Sequence, residues 1–420
     1  MKRLPATTVY YGLEFLLSMP AWVVVSIYLV RELGLSPLQL VLMGTAMEAT
    51  VFLFEIPTGV VADTYSRRLS LIIGTIGTGI AWLLVGVFTQ AWVIILLWAF
   101  WGISYTFTSG AYQAWITDEV GADKVGKVFL RGARVSYVGS FVGLVALVAL
   151  GTQSLSAAVI AGGAVTLLAG LACIFVMPET GFQRKPRAER ASALGELART
   201  ASSGATFARA QHVILLLIGA QLVMGISAEA FDRLKEAHFL RDIGLPTIGN
   251  LDPVVWFGIF ALFAMVFGFF AVGRLIKRLE RSGPEGMSRA LFAFTLMELV
   301  AILVFALTGS TWIAVGTLLA AYLARGLTDP LYNTWLNEQI TDSSVRATVI
   351  SISGQANAIG QAGGGPVLGV VGNVWGLRAA LASGALLIAP ALALYARAIT
   401  HHGREPDLDD LPAPSPSTLA

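Results

Sequence analysis

Charge is scarce in this sequence. Asp, Glu, Lys and Arg together make 13% of its 420 residues, against roughly 25% in an ordinary soluble protein. A water-soluble fold of this length needs more polar surface, which argues against a soluble enzyme, a nucleic-acid binder or a disordered chain. The net charge of +2 is too small to imply an acidic partner. Cysteine is almost absent: Cys173 alone leaves no internal disulfide framework. The four histidines, at 212, 238, 401 and 402, show no zinc spacing. No phosphate loop occurs, because QAGGGPVLG at 361–369 has neither a following Lys nor a preceding strand. No nucleophile–His–acid set or metal cluster stands at membrane depth. Neither enzymatic activity nor a cofactor or metal is therefore expected.

Apolar sequence is plentiful. The hydrophobic fraction is 56% and the mean hydropathy +0.73. A membrane-spanning helix needs about 20 mainly apolar residues. Twelve segments qualify, near 8–30, 38–62, 70–89, 91–116, 132–152, 156–177, 211–232, 253–275, 290–308, 311–338, 346–371 and 377–397. Lys2 and Arg3 before an apolar run resemble a signal peptide, but the run is long enough to span and reads as a retained first helix. Barrel strands would be about half these lengths and alternating, so the expected class is an all-α integral membrane protein. The polar stretch 178–209, with six Lys/Arg, divides the helices six and six. The expected organisation is an N-terminal half 1–177, a cytoplasmic linker 178–209, a C-terminal half 210–399 and a disordered cytoplasmic tail 400–420. All but six of the 28 Lys and Arg fall on one side if the chain starts inside, the exceptions being Arg31, Arg233, Lys235, Arg241, Arg325 and Arg378. The positive-inside rule then places both termini in the cytoplasm and the protein in the cell membrane.

The halves repeat. YLVRELGL at 28–35 matches HFLRDIGL at 238–245, so Arg31 pairs with Arg241 and Gly34 with Gly244. AYQAWITDEV at 111–120 matches LYNTWLNEQI at 331–340, so Tyr112 pairs with Tyr332, Trp115 with Trp335 and Asp118 with Glu338. Both matches run the same way across the membrane. Two parallel halves about an axis along the membrane normal is an arrangement transporters use.

Between helices 2 and 3 stands GVVADTYSRRLS, residues 59–70. It resembles the signature loop of the major facilitator superfamily, G-x-L-A-D-R-x-G-R-[RK], with Gly59, Ala62, Asp63, Arg67 and Arg68 in register. Thr64 and Ser66 replace the usual Arg and Gly. The second half keeps a degenerate copy, GRLIKRLERS at 273–282. Helix count, central loop and repeat extend the resemblance over nearly the whole chain, which is also similar overall to bacterial drug-efflux members. The resemblance implies the major facilitator fold and a cytoplasmic gate of Gly59, Asp63, Arg67, Arg68, Asp118 and Glu119. Asp63 would face the start of helix 11 around Ser343–Arg346, and Arg67 would pair with Asp118 or Glu119. It also implies a cavity lined by helices 1, 4, 7 and 10.

Ionisable groups at membrane depth are costly and usually functional. Glu14 in helix 1 and Glu55 in helix 2 lie at matching depth, about 10 Å above the cytoplasmic side at ~1.5 Å per residue. They are read as sharing one polar spot, with Glu48 nearer mid-membrane. A desolvated carboxylic acid can carry a proton near neutral pH, so Glu14, Glu48, Glu55 and Asp329 are the proton-coupling candidates. The alternative is purely structural hydrogen bonding. Helix 10 carries Arg325 and Asp329, an i,i+4 pair read as self-neutralising, and continues with Asn333 and Asn337. The aligned positions in helix 4 are Tyr105, Ser109, Gln113 and Thr117. Helix 11 adds Ser353, Asn357 and Gln361. Tyr105, Ser109, Tyr112, Gln113, Arg325, Tyr332, Asn333 and Asn357 are the candidate cavity residues; interhelical glue is the rival reading. The charges ending helix 7 (Glu229, Asp232, Arg233, Glu236) are expected to be mostly solvated. Glu298 in helix 9 is expected to be a packing partner or to snorkel.

The reading is a secondary transporter working by alternating access, with protons as the coupling ion and an exported hydrophobic or amphipathic small molecule as substrate. Uptake of a polar nutrient is the runner-up, and a non-transporting sensor on the same fold the third possibility. The expected partners are a small-molecule substrate, protons and the lipid bilayer, with no nucleic acid. The fold requires no second copy, so a monomer is expected.

Overall fold

The computed structural model describes residues 4–20, 22–182, 202, 206–209, 211–280, 283–342 and 345–402. Most of the expected linker at 178–209 and of the tail at 400–420 lies outside the described residues. The described chain is helical throughout. Twelve helical rods follow one another: α1 Ala6–Glu32, α2 Pro37–Thr64, α3 Arg67–Val85, α4 Ala91–Val120, α5 Ala122–Gly151, α6 Leu155–Val176, α7 His212–Ile243, α8 Pro253–Glu280, α9 Gly283–Leu307, α10 Thr311–Gln339, α11 Arg346–Trp375 and α12 Leu377–Thr400. Nine of these are long and apolar enough to cross a membrane on composition alone. The other three are α8, α10 and α11. The last two carry the polar stripes noted above, which dilute their hydropathy without shortening them.

Local chemistry sets the breaks. Ser36 caps α2 in a reciprocal box with Gln39, and Ser66 and Ser154 cap α3 and α6. Pro20, which lacks an N–H, interrupts α1 after Leu17. α4 breaks at Phe107–Thr108. Helices end later than apolar runs suggest where amphipathic turns continue them. α7 runs eleven residues past its expected end at 232, and α5 starts ten residues before 132.

The repeat is visible in the backbone. α1 and α7 each finish in a π-turn, at Tyr28–Glu32 and Phe239–Ile243. A glycine with positive φ follows each, Gly34 at 62° and Gly244 at 85°, a conformation that glycine adopts at little cost.

With twelve crossings, the start of α1 and the end of α12 lie at one end of the bundle, here the terminal end; the opposite one is the far end. The apolar cores divide accordingly. At the terminal end each half has its own, around Trp115 and Ile116 in one and around Trp335 and Leu336 in the other. At the far end one core runs through both halves, from Ile27 and Val41 to Phe231 and Phe305. Gly365 and Gly369 of α11 lie against Val41, and Gly372 against Pro37, so these three glycines allow close packing between the halves, while Gly364 packs on Ile226 of its own half.

Candidate functional site

Cross-half bonds cluster at the far end, and both repeat-related arginines make them. Arg31 bonds to the Asp252 carboxylate at 2.9 Å. Arg241 reaches the other way and donates to the carbonyls of Val30 and Leu35, at 3.2 and 2.8 Å. Asn373 accepts from the Leu38 amide at 3.0 Å. Deeper in, Glu229 of α7 is fully buried and pairs with Arg233 at 3.3 Å. Arg233 also lies over the ring of Trp98 in α4, 4.9 Å from its centroid, and Glu48 of α2 is within electrostatic reach of both. A cation from one half is thus held by an aromatic face of the other.

Two chambers of the N-terminal half bring together residues singled out in the sequence. One, of about 370 Å3, is lined by α1, α3, α4 and α6, including Trp22, Trp82, Trp101, Tyr105, Ser109 and Cys173. Trp22, Trp82, Trp98 and Trp101 form a cluster with centroids 5.0 to 6.1 Å apart. Trp82, Trp98 and Trp101 are therefore core residues, whereas Trp92 is exposed. The second, of about 610 Å3, is lined by Tyr10, Glu14, Tyr112, Gln113 and hydroxyls of α5. Tyr10 stacks on Tyr112 at 5.1 Å, and the Tyr112 hydroxyl donates to the Tyr10 carbonyl at 3.2 Å. Glu14 keeps company with these two tyrosines. Glu55 is exposed and groups with Tyr105 and Glu48 instead. The polar spot that matching depth suggested for Glu14 and Glu55 is divided, because the two carboxylates point to different neighbours.

The C-terminal half holds one polar chamber of about 200 Å3, lined among others by Gln221, Asp232, Glu298, Arg325, Asp329 and Asn357. Arg325 does not pair with Asp329. Its two terminal nitrogens bond to both oxygens of Asp232 at 2.5 and 2.9 Å, and its Nε lies 3.5 Å from Glu298. A bidentate carboxylate fits the planar guanidinium better than a neighbour on the same helix. Asn357 donates to the Gln221 side chain at 2.9 Å, and Gln361 to Asn357 at 2.7 Å. The Tyr332 hydroxyl is 2.6 Å from Ser353. Asn333 is exposed and does not line this chamber.

One expectation about charge is thereby corrected, and for Glu298 the structure selects packing from the two alternatives. The α7 charges are not solvated: Glu229 and Glu236 are buried, and Asp232 is engaged by Arg325. The helix continues past them, which keeps them within the bundle. Glu298 does not snorkel; it is 3% exposed and packs on Arg325.

In the signature loop, Arg67 pairs with Asp118 at 2.5 Å, as the resemblance implied. Asp63 is largely exposed and lies 3.6 Å from Arg67. Its expected partner region begins at Ser343, outside the described residues, and Arg346 donates to the carbonyl of Ile340. Glu119 does not take Arg67; it accepts from Thr180 and Gly181. Glu179 accepts from the Ser66 hydroxyl and the Arg68 amide. The Arg68 side chain donates to the carbonyl of Ile174, and Gly59 has open space where a side chain would stand.

The described rods, the repeat and the signature loop agree with a match to the Major Facilitator Superfamily over residues 7–365. The chain belongs to that superfamily. It is 21% identical to the uncharacterized MFS-type transporter YxaM of Bacillus subtilis (strain 168), over 395 residues covering 91% of this chain and 92% of that one. Solved structures of the same fold include the nucleoside transporter NupG, with a TM-score of 0.75, 14% identity and coverage of 94% and 98%. A bacterial homolog of the human lysosomal transporter Spinster, in an inward-facing and occupied conformation, gives 0.70 at 16% identity, covering 98% of each chain. The peptide transporter POT in complex with sulfate gives 0.72 at 14%, covering 95% and 94%. This superfamily member is a multi-pass integral membrane transporter of a small molecule, and not an enzyme.

Proposed function

We propose that the chain is a proton-coupled exporter of amphipathic small molecules. The observation carrying this reading is the unlike character of the two halves at repeat-related places. Around Tyr112 the lining is aromatic, with one carboxylate, Glu14. Around Tyr332 it is amide and charge, with Asp329 and Arg325. A molecule with an apolar body and a polar head suits both. With the Lys/Arg-rich side taken as cytoplasmic, the far-end contacts close the outside and the divided terminal end opens to the cytoplasm, the state in which an exporter loads. Glu14 and Asp329 are the carboxylates we assign to proton exchange, with Glu48 and Glu55 as secondary candidates. Tyr105, Ser109, Tyr112, Gln113, Arg325, Tyr332 and Asn357 are assigned to the substrate path. Arg67 and Asp118, with Gly59, Asp63, Arg68 and Glu119, belong to the cytoplasmic gate.

The test is dissipation of a pH gradient in proteoliposomes on adding drug-like compounds and metabolites. Compound-dependent proton movement, lost in Glu14→Gln or Asp329→Asn, is expected. Transport that leaves the gradient intact would sink proton coupling. The amide chain Gln221–Asn357–Gln361 favours a second reading, uptake of a polar metabolite; accumulation in right-side-out vesicles driven by an inward proton gradient would establish it over export.

A further inference from the structure

The C-terminal chamber has an uneven charge inventory. It presents three carboxylates, Asp232, Glu298 and Asp329, and one guanidinium, Arg325. All three nitrogens of that guanidinium are engaged, two by Asp232 and Nε by Glu298. Arg325 and Asp232 thus neutralise each other, and an anionic ligand would have to compete with two carboxylates for the guanidinium. Glu298 and Asp329 remain without a full counter-charge. The nearby cation on α7, Arg233, is already held by Glu229 and the Trp98 ring. Tyr332 and Tyr395 complete the wall from α10 and α12.

Glu298 supplies the second observation. Its side chain is only 4% exposed, yet it lines the chamber, and its Oε2 has no hydrogen-bond partner among the described residues. A buried carboxylate oxygen without a donor is costly. The missing partner is a donor, and with three carboxylates facing one guanidinium a cationic donor also balances the chamber's charge. An ammonium brings three donors and a positive charge.

We propose that this chamber binds the protonated amino group of the transported molecule, held by Glu298 and Asp329. The inference deepens the function proposed above and rests on its amphipathic substrate: the head is basic and the apolar body extends out of the chamber. About 200 Å3 accommodates such a head with a few waters, at ~30 Å3 each. A proton and the ammonium compete for the same carboxylates, so loading one expels the other.

The test uses the full chain in lipid nanodiscs and equilibrium dialysis at pH 7 with three matched probes: 4-phenylbutylamine, 4-phenylbutanol and 4-phenylbutyrate. The amine is expected to bind roughly tenfold tighter than the alcohol, the difference one charge-assisted hydrogen bond brings, and the carboxylate not to bind. Glu298→Gln and Asp329→Asn should each remove that preference while alcohol binding and melting temperature hold. Glu285→Gln, an exposed pair on the same helix as Glu298, should change nothing. Equal binding of amine and alcohol, no amine binding, or an unaltered preference in Glu298→Gln would each overturn the assignment. Proton movement driven by the alcohol but not the amine would leave proton-coupled transport standing and remove this site. Glu298-dependent amine binding and transport without proton movement would keep the site and remove the coupling.

Discussion

Arg241 should matter more than Arg31 to closure of the far end. Arg241 makes two charge-assisted bonds to backbone carbonyls of the other half, at 3.2 and 2.8 Å. Such bonds contribute about 1.5–3 kcal/mol each when shielded; Arg241 is exposed and one bond is long, so about 1–2 kcal/mol for both is the working figure. The Arg31–Asp252 pair has side chains 47% and 30% exposed, and pairs of that kind contribute about 0–1 kcal/mol. Arg241→Gln should therefore shift the closed-to-open ratio at the far end roughly tenfold, and Arg31→Gln by fivefold at most. From a minor state near 1%, a tenfold shift makes the open population about 9%. Spin labels at Thr89 and Gly309, exposed in far-end loops of opposite halves, with Cys173 replaced by alanine, would read this by double electron–electron resonance. High salt should erase most of the Arg31 effect and little of the Arg241 effect. An unchanged distance distribution in Arg241→Gln, or a larger change in Arg31→Gln, would refute the reasoning.

Further outcomes follow from packing and pairing. Arg233→Leu leaves Glu229 buried without its cation and should cost about 3–5 kcal/mol, whereas Glu229→Leu with Arg233→Leu should cost less than Arg233→Leu alone; thermal unfolding in detergent orders the variants. Gly139 and Gly143 of α5 lie against the backbones of Phe15 and Met19 in α1, so Gly139→Val should destabilise by about 1–3 kcal/mol, and a melting temperature equal to the parent's would count against that contact. The Trp115 indole donates to the Pro178 carbonyl at 2.8 Å, while the indole of its repeat partner Trp335 has no hydrogen-bond acceptor among the described residues. Trp115→Phe should then cost about 1 kcal/mol more than Trp335→Phe, and equal losses would contradict the assignment.

Most of the architecture was legible because lipid leaves so few options: long apolar runs must be helices, and the loop around Asp63 and Arg67 has a recognisable spelling. Pairing inside the bundle was not. Arg325 and Asp329 are four residues apart and invite a local reading, but the guanidinium takes Asp232, 93 residues away. No periodicity marks such a partner. The α7 charges misled for a related reason. Polar residues near the end of an apolar run suggest that the helix is leaving the membrane, whereas inside the bundle Glu229 pairs with Arg233 and Asp232 with Arg325. Glu229 and Arg233 do carry a readable sign, the i,i+4 spacing of opposite charges. Glu298 carries none, since a single acidic residue in an apolar helix looks the same whether it faces lipid or a chamber.

The two far-end arginines also bear on how such a protein can change over generations. Each half carries its own bolt and reaches into its twin, Arg31 to Asp252 and Arg241 to carbonyls in the last turn of α1 and just after it. A lineage that loses one still holds the other, so the closure survives drift that would disable a single fastening. The stronger bolt grips backbone carbonyls, which no substitution of the residues it grips can delete. Inheritance of that contact therefore depends on one codon, that of Arg241, and on the turn that presents it.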